Sequence, residues 1–364
     1  MYINNMVNLH ERSEPTEDKQ YTETMAVTQQ QSLVMQEAGK PVVKITRPIP
    51  TPKENEVLIK ITSAGINPHD AKSRDRNLFN LPLPITLCND VAGVITAKGD
   101  KVSGFELNDH VFGYPGFAID SQASQQYAVL EVGCFAKVPS NITDDQAASL
   151  PVNLFASALS FWSDKLLGFP APWTDNKSSD ASSEAVVILG GGSSCGKFAV
   201  QLAKISGIGK IVVISSKSNI DELKLYGATH VIDRHGTDAE IRALVQEAVG
   251  DELSYVYDPI NADHSFAVSL LSGNKRGKVV TLLFPNSAPG NYEIVHTHGI
   301  PQLHKEFSAK FFKQLPGWLE SGKIKPLGFK LLESGLDEEA FNKLLDDHLD
   351  GKNPGKWHFH PNDI

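Results

Sequence analysis

Two hydrophobic rhythms divide the chain. Across residues 31–151, short β-branched runs at 42–45, 57–61, 91–97, 111–114, 126–130 and 135–138 alternate with Gly, Pro and Asn turns. Runs of this length predict strands, and together they predict an all-β, partly closed barrel. Near residue 150 the rhythm changes. An Ala-, Ser- and Leu-rich stretch at 144–161 predicts a helix, and the Pro-, Ser- and Asp-rich stretch 168–183 predicts a loop. Strands predicted at 185–189, 210–214, 230–233, 255–257 and 278–283 then alternate with helices at 197–206, 220–226, 239–249 and 264–271. That alternation specifies a doubly wound parallel sheet, so the fold class is α/β. Beyond a helix at 302–320, the segments 324–332 and 351–359 return to strand character. The expected division is a disordered tail at 1–30, a β-rich domain at 31–150 and 324–364, and a Rossmann-type α/β domain at 151–323.

The tail assignment rests on composition. Residues 1–33 are rich in Glu, Gln, Thr and Asn, and have neither the apolar core of a signal peptide nor the Arg-rich character of a transit peptide. The functional polypeptide is expected to begin near Met25.

Charge narrows the partners. A formal net charge of −9 disfavours nucleic acid or an anionic membrane, because a polyanion needs a broad basic surface. The longest apolar runs, such as 185–189 and 279–284, fall far short of the roughly 20 residues that cross a bilayer. Cys88, Cys134 and Cys195 are too widely separated to form a disulfide framework or a metal-binding pair. The expectation is a cytoplasmic protein acting on a small-molecule substrate, as a monomer or homodimer, with no metal. The strand at 278–283 is the expected pairing edge.

The chemistry concentrates in the first βα turn, Gly190-Gly191-Gly192-Ser193-Ser194-Cys195-Gly196. Small residues there let backbone N–H groups approach a pyrophosphate at a helix N-terminus. The spacing departs from strict G-x-G-x-x-G. It also reproduces most of a phosphate-binding P-loop, but Phe198 stands where Mg²⁺ binding needs a hydroxyl. The second strand ends in Ser215-Ser216-Lys217-Ser218-Asn219 rather than in the Asp or Glu that would hold an NAD ribose. Hydroxyls and a cation suit a 2′-phosphate, with Arg234 as a second charge. The cofactor read from these residues is NADPH, bound by residues 190–196 together with Ser216, Lys217, Asn219 and Arg234.

Gly65-Ile66-Asn67-Pro68-His69-Asp70, Asn89-Asp90-Val91-Ala92-Gly93, Val111-Phe112-Gly113, the glycine turn and Gly227-Ala228-Thr229-His230 resemble the medium-chain dehydrogenases/reductases from about Met25 onward. The resemblance implies a GroES-like substrate domain beside the Rossmann domain. Zinc alcohol dehydrogenases of that superfamily place a Cys at Asn67 and Gly-His-Glu at Cys88-Asn89-Asp90. Loss of thiolate and imidazole implies the zinc-free branch of quinone and enoyl reductases. The loop at 168–183 and Lys72 two residues after Asp70 resemble fungal trans-acting enoyl reductases.

The resemblance implies hydride transfer to a conjugated enal, enone, enoyl thioester or quinone. Without zinc, the enolate oxygen needs hydrogen-bond donors. Asn67 is the first candidate, against a plain turn-forming role before Pro68. Lys72 is a candidate electrophile or proton source, against a solvated lysine. Ser157 resembles the hydroxyl that faces the nicotinamide in relatives. Asp70 is expected to orient its neighbours. Leu78-Phe79 stands where mitochondrial enoyl reductases carry a catalytic Tyr. The alternative is a catalytically inactive NADPH-binding sensor or structural protein, since a fold alone does not fix activity.

Overall fold

A computed structural model describes residues 28–174, 180–283, 290–352 and 355–363. Most of the expected tail therefore lies outside the described residues. Its last residues do not belong to a tail: Gln29–Val34 is strand β1, antiparallel to β2 (Val43–Pro48). Polar side chains obscured it. Gln30 bonds to Gln125 and to the Tyr127 N–H, and Gln31 to Thr46, so this strand is held by amides rather than by alternating apolar residues.

Seven strands form a mixed sheet: β3 (Glu56–Ile66), β4 (Asp90–Lys98), β5 (His110–Gly113), β6 (Tyr127–Glu131), β7 (Phe135–Lys137), β14 (Lys330–Leu332) and β15 (Trp357–Phe359). β3 organises it. One edge pairs throughout with β4; the other pairs with β6 over Glu56–Lys60 and with β15 over Ala64–Ile66. The expected strand at 324–332 shrinks to β14. Two helices were not anticipated, α1 (Pro68–Arg76) and α9 (Glu338–Leu349). Ala71 of α1 and Phe341, Leu344 and Leu345 of α9 enter the same core as Ile59, Ile61 and Ile66.

Six parallel strands form the other sheet, in the order β10-β9-β8-β11-β12-β13. They are β8 (Ala185–Leu189), β9 (Lys210–Ser215), β10 (His230–Asp233), β11 (Tyr255–Asp258), β12 (Gly277–Thr281) and β13 (Tyr292–His296). Val186 and Ile188 enter one core and Val187 and Leu189 another, as expected for a sheet covered on both faces. Helices α4 (Ser194–Ile205), α5 (Ile220–Tyr226), α6 (Asp238–Val249) and α7 (Ser265–Ser269) cover it, with α3 (Pro151–Trp162) packed on α4; α2 (Asp144–Ala148) instead packs on β3, β4 and β5 of the mixed sheet, and α8 (Lys305–Glu320) lies against α3 and β7.

Three expectations change here. The helix at 144–161 is two helices, because Pro151 has no N–H to continue the first and opens the second. The stretch between 283 and 302, to which the pattern assigns no element, contains β13, whose pairing to β12 makes β13, and not 278–283, the edge of the sheet. Helix α4 starts three residues before 197, because the Ser193 hydroxyl accepts the Gly196 N–H at 3.0 Å and caps it. Part of the expected loop at 168–183 lies outside the described residues. Among the described residues, no helix is long and apolar enough to cross a membrane.

Candidate active site

The glycine turn sits at the C-terminal end of β8, where strand order runs outward in both directions. This is the crevice in which doubly wound sheets bind ligands. Gly190 adopts φ +67°, which starts the turn. A Cβ on Gly196 would lie 2.4 Å from the Gly190 carbonyl oxygen, so only glycine lets α4 approach β8 this closely. Ser194 and Cys195 lie in the first turn of α4, where N–H groups have no intrahelical acceptor. These donors and the helix dipole make an anion site.

The end of β9 lies beside that turn. Asn219 Nδ2 donates to Ser215 Oγ and Ser216 Oγ, both at 3.0 Å, and a Cβ on Gly192 would come within 2.7 Å of the same nitrogen. The Ser216 and Ser218 hydroxyls are 3.2 Å apart. Lys217, with a side chain 77 % exposed, lies 3.6 Å from Asp233. Arg234 is exposed, and its N–H binds the Ser215 carbonyl at 2.9 Å. The structure thus brings the expected 2′-phosphate residues together at the rim of the glycine turn.

A second polar cluster lies inside. β3 ends at Ile66, and Asn67-Pro68 turns the chain into α1. Asp70 accepts the Asn67 N–H at 2.7 Å on one oxygen and the Cys88 N–H at 2.9 Å on the other, tying this turn to the segment before β4. Asn67 Nδ2 donates to Asp90 Oδ2 at 2.7 Å. Asp90 Oδ1 accepts the Val152 N–H at 2.7 Å, at the N-terminus of α3, where the helix favours a carboxylate. The Lys356 ammonium donates to Asp90 Oδ2 and, at 2.9 Å, to Asn67 Oδ1.

From there the chain of bonds crosses to the parallel sheet. Asn153 Nδ2 donates to Asn67 Oδ1 at 2.9 Å, and the Cys195 thiol donates to Asn153 Oδ1 at 3.2 Å. Ser157 Oγ donates to the Cys195 carbonyl at 3.0 Å and shares a hydrogen bond of 3.2 Å with Tyr257. Burial pushes the Cys195 thiol up to about 12 and the Tyr257 phenol well above its ordinary value, so both keep their protons at neutral pH.

Asn67 and Ser157 therefore belong to one network, with most of their capacity spent on protein groups. Lys72 does not join it. It is half-buried on α1 and makes no hydrogen bond or ion pair with the described residues. His69 bonds Asn89 at 3.0 Å and meets Phe79 edge-on at 5.8 Å, and Phe79 packs on Phe117 at 4.7 Å. Sequence reasoning missed Lys356, Asn153 and Tyr257. The alternation Lys356-Trp357-His358-Phe359 carried the one usable signal, a lysine on one face of a strand otherwise buried.

Two families match the chain, the alcohol dehydrogenase GroES-like domain over residues 53–141 and the zinc-binding dehydrogenase domain over residues 195–294. The chain belongs to the medium-chain dehydrogenase/reductase superfamily. A zinc-type alcohol dehydrogenase-like protein of Schizosaccharomyces pombe is 29 % identical over 338 residues, 84 % of this chain and 92 % of the relative. A trans-enoyl reductase of Aspergillus japonicus is 28 % identical over 302 residues, 78 % of this chain and 85 % of the relative. The structure of a mycobacterial protein complexed with NADPH superposes with TM-score 0.71 at 20 % identity, covering 91 % of this chain and 100 % of that one. At that identity the likeness speaks for the fold alone. This member of the superfamily is an oxidoreductase.

Zinc, which the matched family's description carries, does not fit the inner cluster. Among the described residues no group of three or more His, Cys, Asp and Glu side chains is placed to hold a metal ion. The oxygens of Asn67 and Asp90 that face inward are already bound by the Lys356 ammonium, which would repel a divalent cation. A nicotinamide cofactor does fit. The uncommitted N–H groups of α4 and the cations and hydroxyls at the end of β9 have the donor chemistry for a pyrophosphate and a second phosphate.

Proposed function

We propose that this oxidoreductase uses NADPH to reduce a conjugated C=C bond or a quinone, without zinc. The observation that carries the reading is the rim of the glycine turn, where Ser216, Lys217, Asn219 and Arg234 stand in place of an acidic ribose ligand. When bound, the cofactor supplies a hydride for the electron-poor carbon of the acceptor. The N–H groups of Ser194 and Cys195 hold the pyrophosphate, and Lys217, Arg234 and the Ser216 hydroxyl hold the 2′-phosphate. In this reading residues 151–323 form the nucleotide-binding domain, and residues 31–150 with 324–364 form the substrate domain.

An acceptor carbonyl gains negative charge as hydride arrives, so the chain must present donors to it. Lys72 makes no hydrogen bond or ion pair with the described residues and lies on α1, beside the Asn67 turn; it donates to that oxygen. Asn67 keeps one amide proton beyond its bond to Asp90 and is the second donor. Ser157 spends its proton on the Cys195 carbonyl and holds the turn in place. The Phe79 and Phe117 rings make an apolar wall suited to a conjugated acceptor.

Nicotinamide fluorescence titrated with NADPH and with NADH tests the cofactor. NADPH is expected to bind at least about tenfold more tightly, about 1.4 kcal/mol, with Lys217→Ala and Arg234→Ala erasing the preference. NADPH oxidation with a panel of enals, enones and quinones tests the reaction. Tight NADPH binding without turnover on any acceptor would leave a sensor or structural protein, and no nucleotide binding would overturn the reading altogether.

A further inference from the structure

We propose that Lys356 is a positioning residue: its buried ammonium is a built-in cation that fixes the orientation of the Asn67 carboxamide and holds Asp90 beside it. The side chain of Lys356 is 3 % exposed and that of Asp90 fully buried. A charge enclosed this far persists only when paired and hydrogen-bonded. Lys356 meets that condition with the Asp90 carboxylate and the Asn67 carbonyl oxygen.

Backbone geometry is shaped around the lysine. Its residue immediately precedes β15, and its stem crosses β3 at Gly65, where a Cβ would lie 2.9 Å from Lys356 Cε, 2.9 Å from Asp90 Cβ and 3.0 Å from the Ala148 carbonyl oxygen. Any larger residue at 65 would displace the lysine, the carboxylate or the backbone of α2.

The ion pair also sets a direction. An Asn carboxamide has a donor end and an acceptor end of nearly equal shape. With an ammonium on one side and a carboxylate on the other, the oxygen of Asn67 must face Lys356 and its NH₂ must face Asp90. Reversal would set donor against donor and acceptor against acceptor. The choice propagates, because the Asn67 oxygen then also accepts from Asn153, whose own oxygen is left to accept the Cys195 thiol in the nucleotide turn. Lys356, contributed by the C-terminal segment, thus determines the polarity of the bonds that join the two sheets. At the positions where zinc relatives carry soft ligands, this chain supplies its positive charge from within. The kinetic consequence rests on the reductase reading; the structural one does not.

Four variants test it: Lys356→Met, which keeps the length without the charge, Lys356→Arg, Asp90→Asn, and Lys356→Met combined with Asp90→Asn. The structural readout is the Asn67 side-chain amide in a ¹H–¹⁵N correlation spectrum, assigned by its disappearance in Asn67→Asp. In Lys356→Met this signal is expected to shift and to exchange with solvent faster, while Lys356→Arg retains most of its protection. The kinetic readout is kcat, expected to fall at least about 30-fold in Lys356→Met, with KM and the NADPH dissociation constant changed by less than about threefold, as for a group that orders a donor without touching cofactor. Restoring neutrality with Asp90→Asn is expected to recover part of kcat. An Asn67 signal and a kcat like those of the wild type in Lys356→Met would overturn the proposal. Should Lys356→Met not fold, the double variant carries the test, and an Asn67 signal identical to that of Asp90→Asn alone overturns it. If the wild type turns over no acceptor, the functional reading fails, and the amide spectrum still decides the role of Lys356.

Discussion

Lys356 and Lys217 carry the same charge into opposite surroundings: the first has a side chain 3 % exposed with two polar partners, and the second is 77 % exposed and 3.6 Å from Asp233. The buried ammonium is held by groups that are themselves tied down by further hydrogen bonds, so its geometry is fixed before any ligand arrives. The exposed one is solvated, free to move and screened by salt. Inside, charge specifies structure; at the rim, on the proposed reading, charge selects a ligand. Substitutions in the two places should therefore differ in size and in what they respond to.

The largest effect should come from breaking the inner pair while keeping its cation. Asp90→Ala leaves the Lys356 ammonium buried without a counter-charge and removes the acceptor of both Asn67 Nδ2 and the Val152 N–H. Such a loss costs about 3–5 kcal/mol, visible as a lower midpoint in urea unfolding. Lys217→Ala should stay within about 0.5 kcal/mol in the same assay. Equal effects of the two substitutions would break the contrast between inside and rim.

The next effect concerns the close approaches that let each site exist. Gly65→Ala places a methyl against the Asp90 and Lys356 side chains, and Gly196→Ala places one 2.4 Å from a backbone oxygen. Each should destabilise the protein by about 1–3 kcal/mol, and Gly196→Ala should in addition weaken nucleotide binding by about tenfold or more, because the turn has no side chain to move aside. Gly317→Ala in α8 meets nothing within 4 Å and should be neutral or stabilising by up to about 1 kcal/mol. A titration in which Gly196→Ala binds NADPH like the wild type would remove the turn from the cofactor site.

The rim was far more legible in the sequence than the interior. Strand β8, the glycines and the run from Ser215 to Asn219 are contiguous, so spacing alone places them at one end of one sheet. The inner cluster joins Asn67, Asp90, Asn153 and Lys356, residues that only the pairing of β15 with β3 and the packing of α3 bring together. No local period encodes that pairing. The errors in the fold share this cause. β1 is held by Gln side chains bonded to residues about 95 positions away, and β13 is a run of 5 residues for which only β12 supplies partners. The apolar period sets in at 197 and places the start of α4 there, three residues after the helix that Ser193 caps begins.

The C-terminal segment that delivers Lys356 should also respond to pH. His358 and His360 follow it at two-residue intervals and face Asp145, which lies within 3.0 Å of His360 and 3.8 Å of His358. Burial, opposed by Asp145, holds His358 below the ordinary histidine value. His360 is lifted above it, since its bonds to Asp145 and Asp363 outweigh burial. The signs are opposite. As pH falls below about 6.5, the unfolded chain takes up a proton that folded His358 refuses, so stability drops. As pH rises above about 6.5 through the raised value of His360, the folded state loses a proton that the unfolded chain has already released, so stability drops again. Thermal midpoints should show a shallow maximum near pH 6.5 from this pair. His358→Phe should flatten the acidic side and His360→Gln the alkaline side; slopes unchanged in both variants would show that the segment is held without them.

The smallest effect is the one most sensitive to conditions. At the rim, Lys217 and Arg234 would meet a 2′-phosphate in contact with solvent, where the screening length is about 8 Å at physiological ionic strength. The preference for NADPH over NADH should therefore shrink as NaCl is raised from about 0.05 M to 0.5 M. The kinetic defect of Lys356→Met should not move with salt at all, because ions do not reach a side chain enclosed by Asp90, Asn67 and Gly65. Measuring both quantities over one salt series separates the two cations without further mutation. A Lys356→Met defect that tracked the NADPH preference as salt rose would mean that both cations act through the same exposed field, and the distinction between fixed interior charge and selective rim charge would be lost.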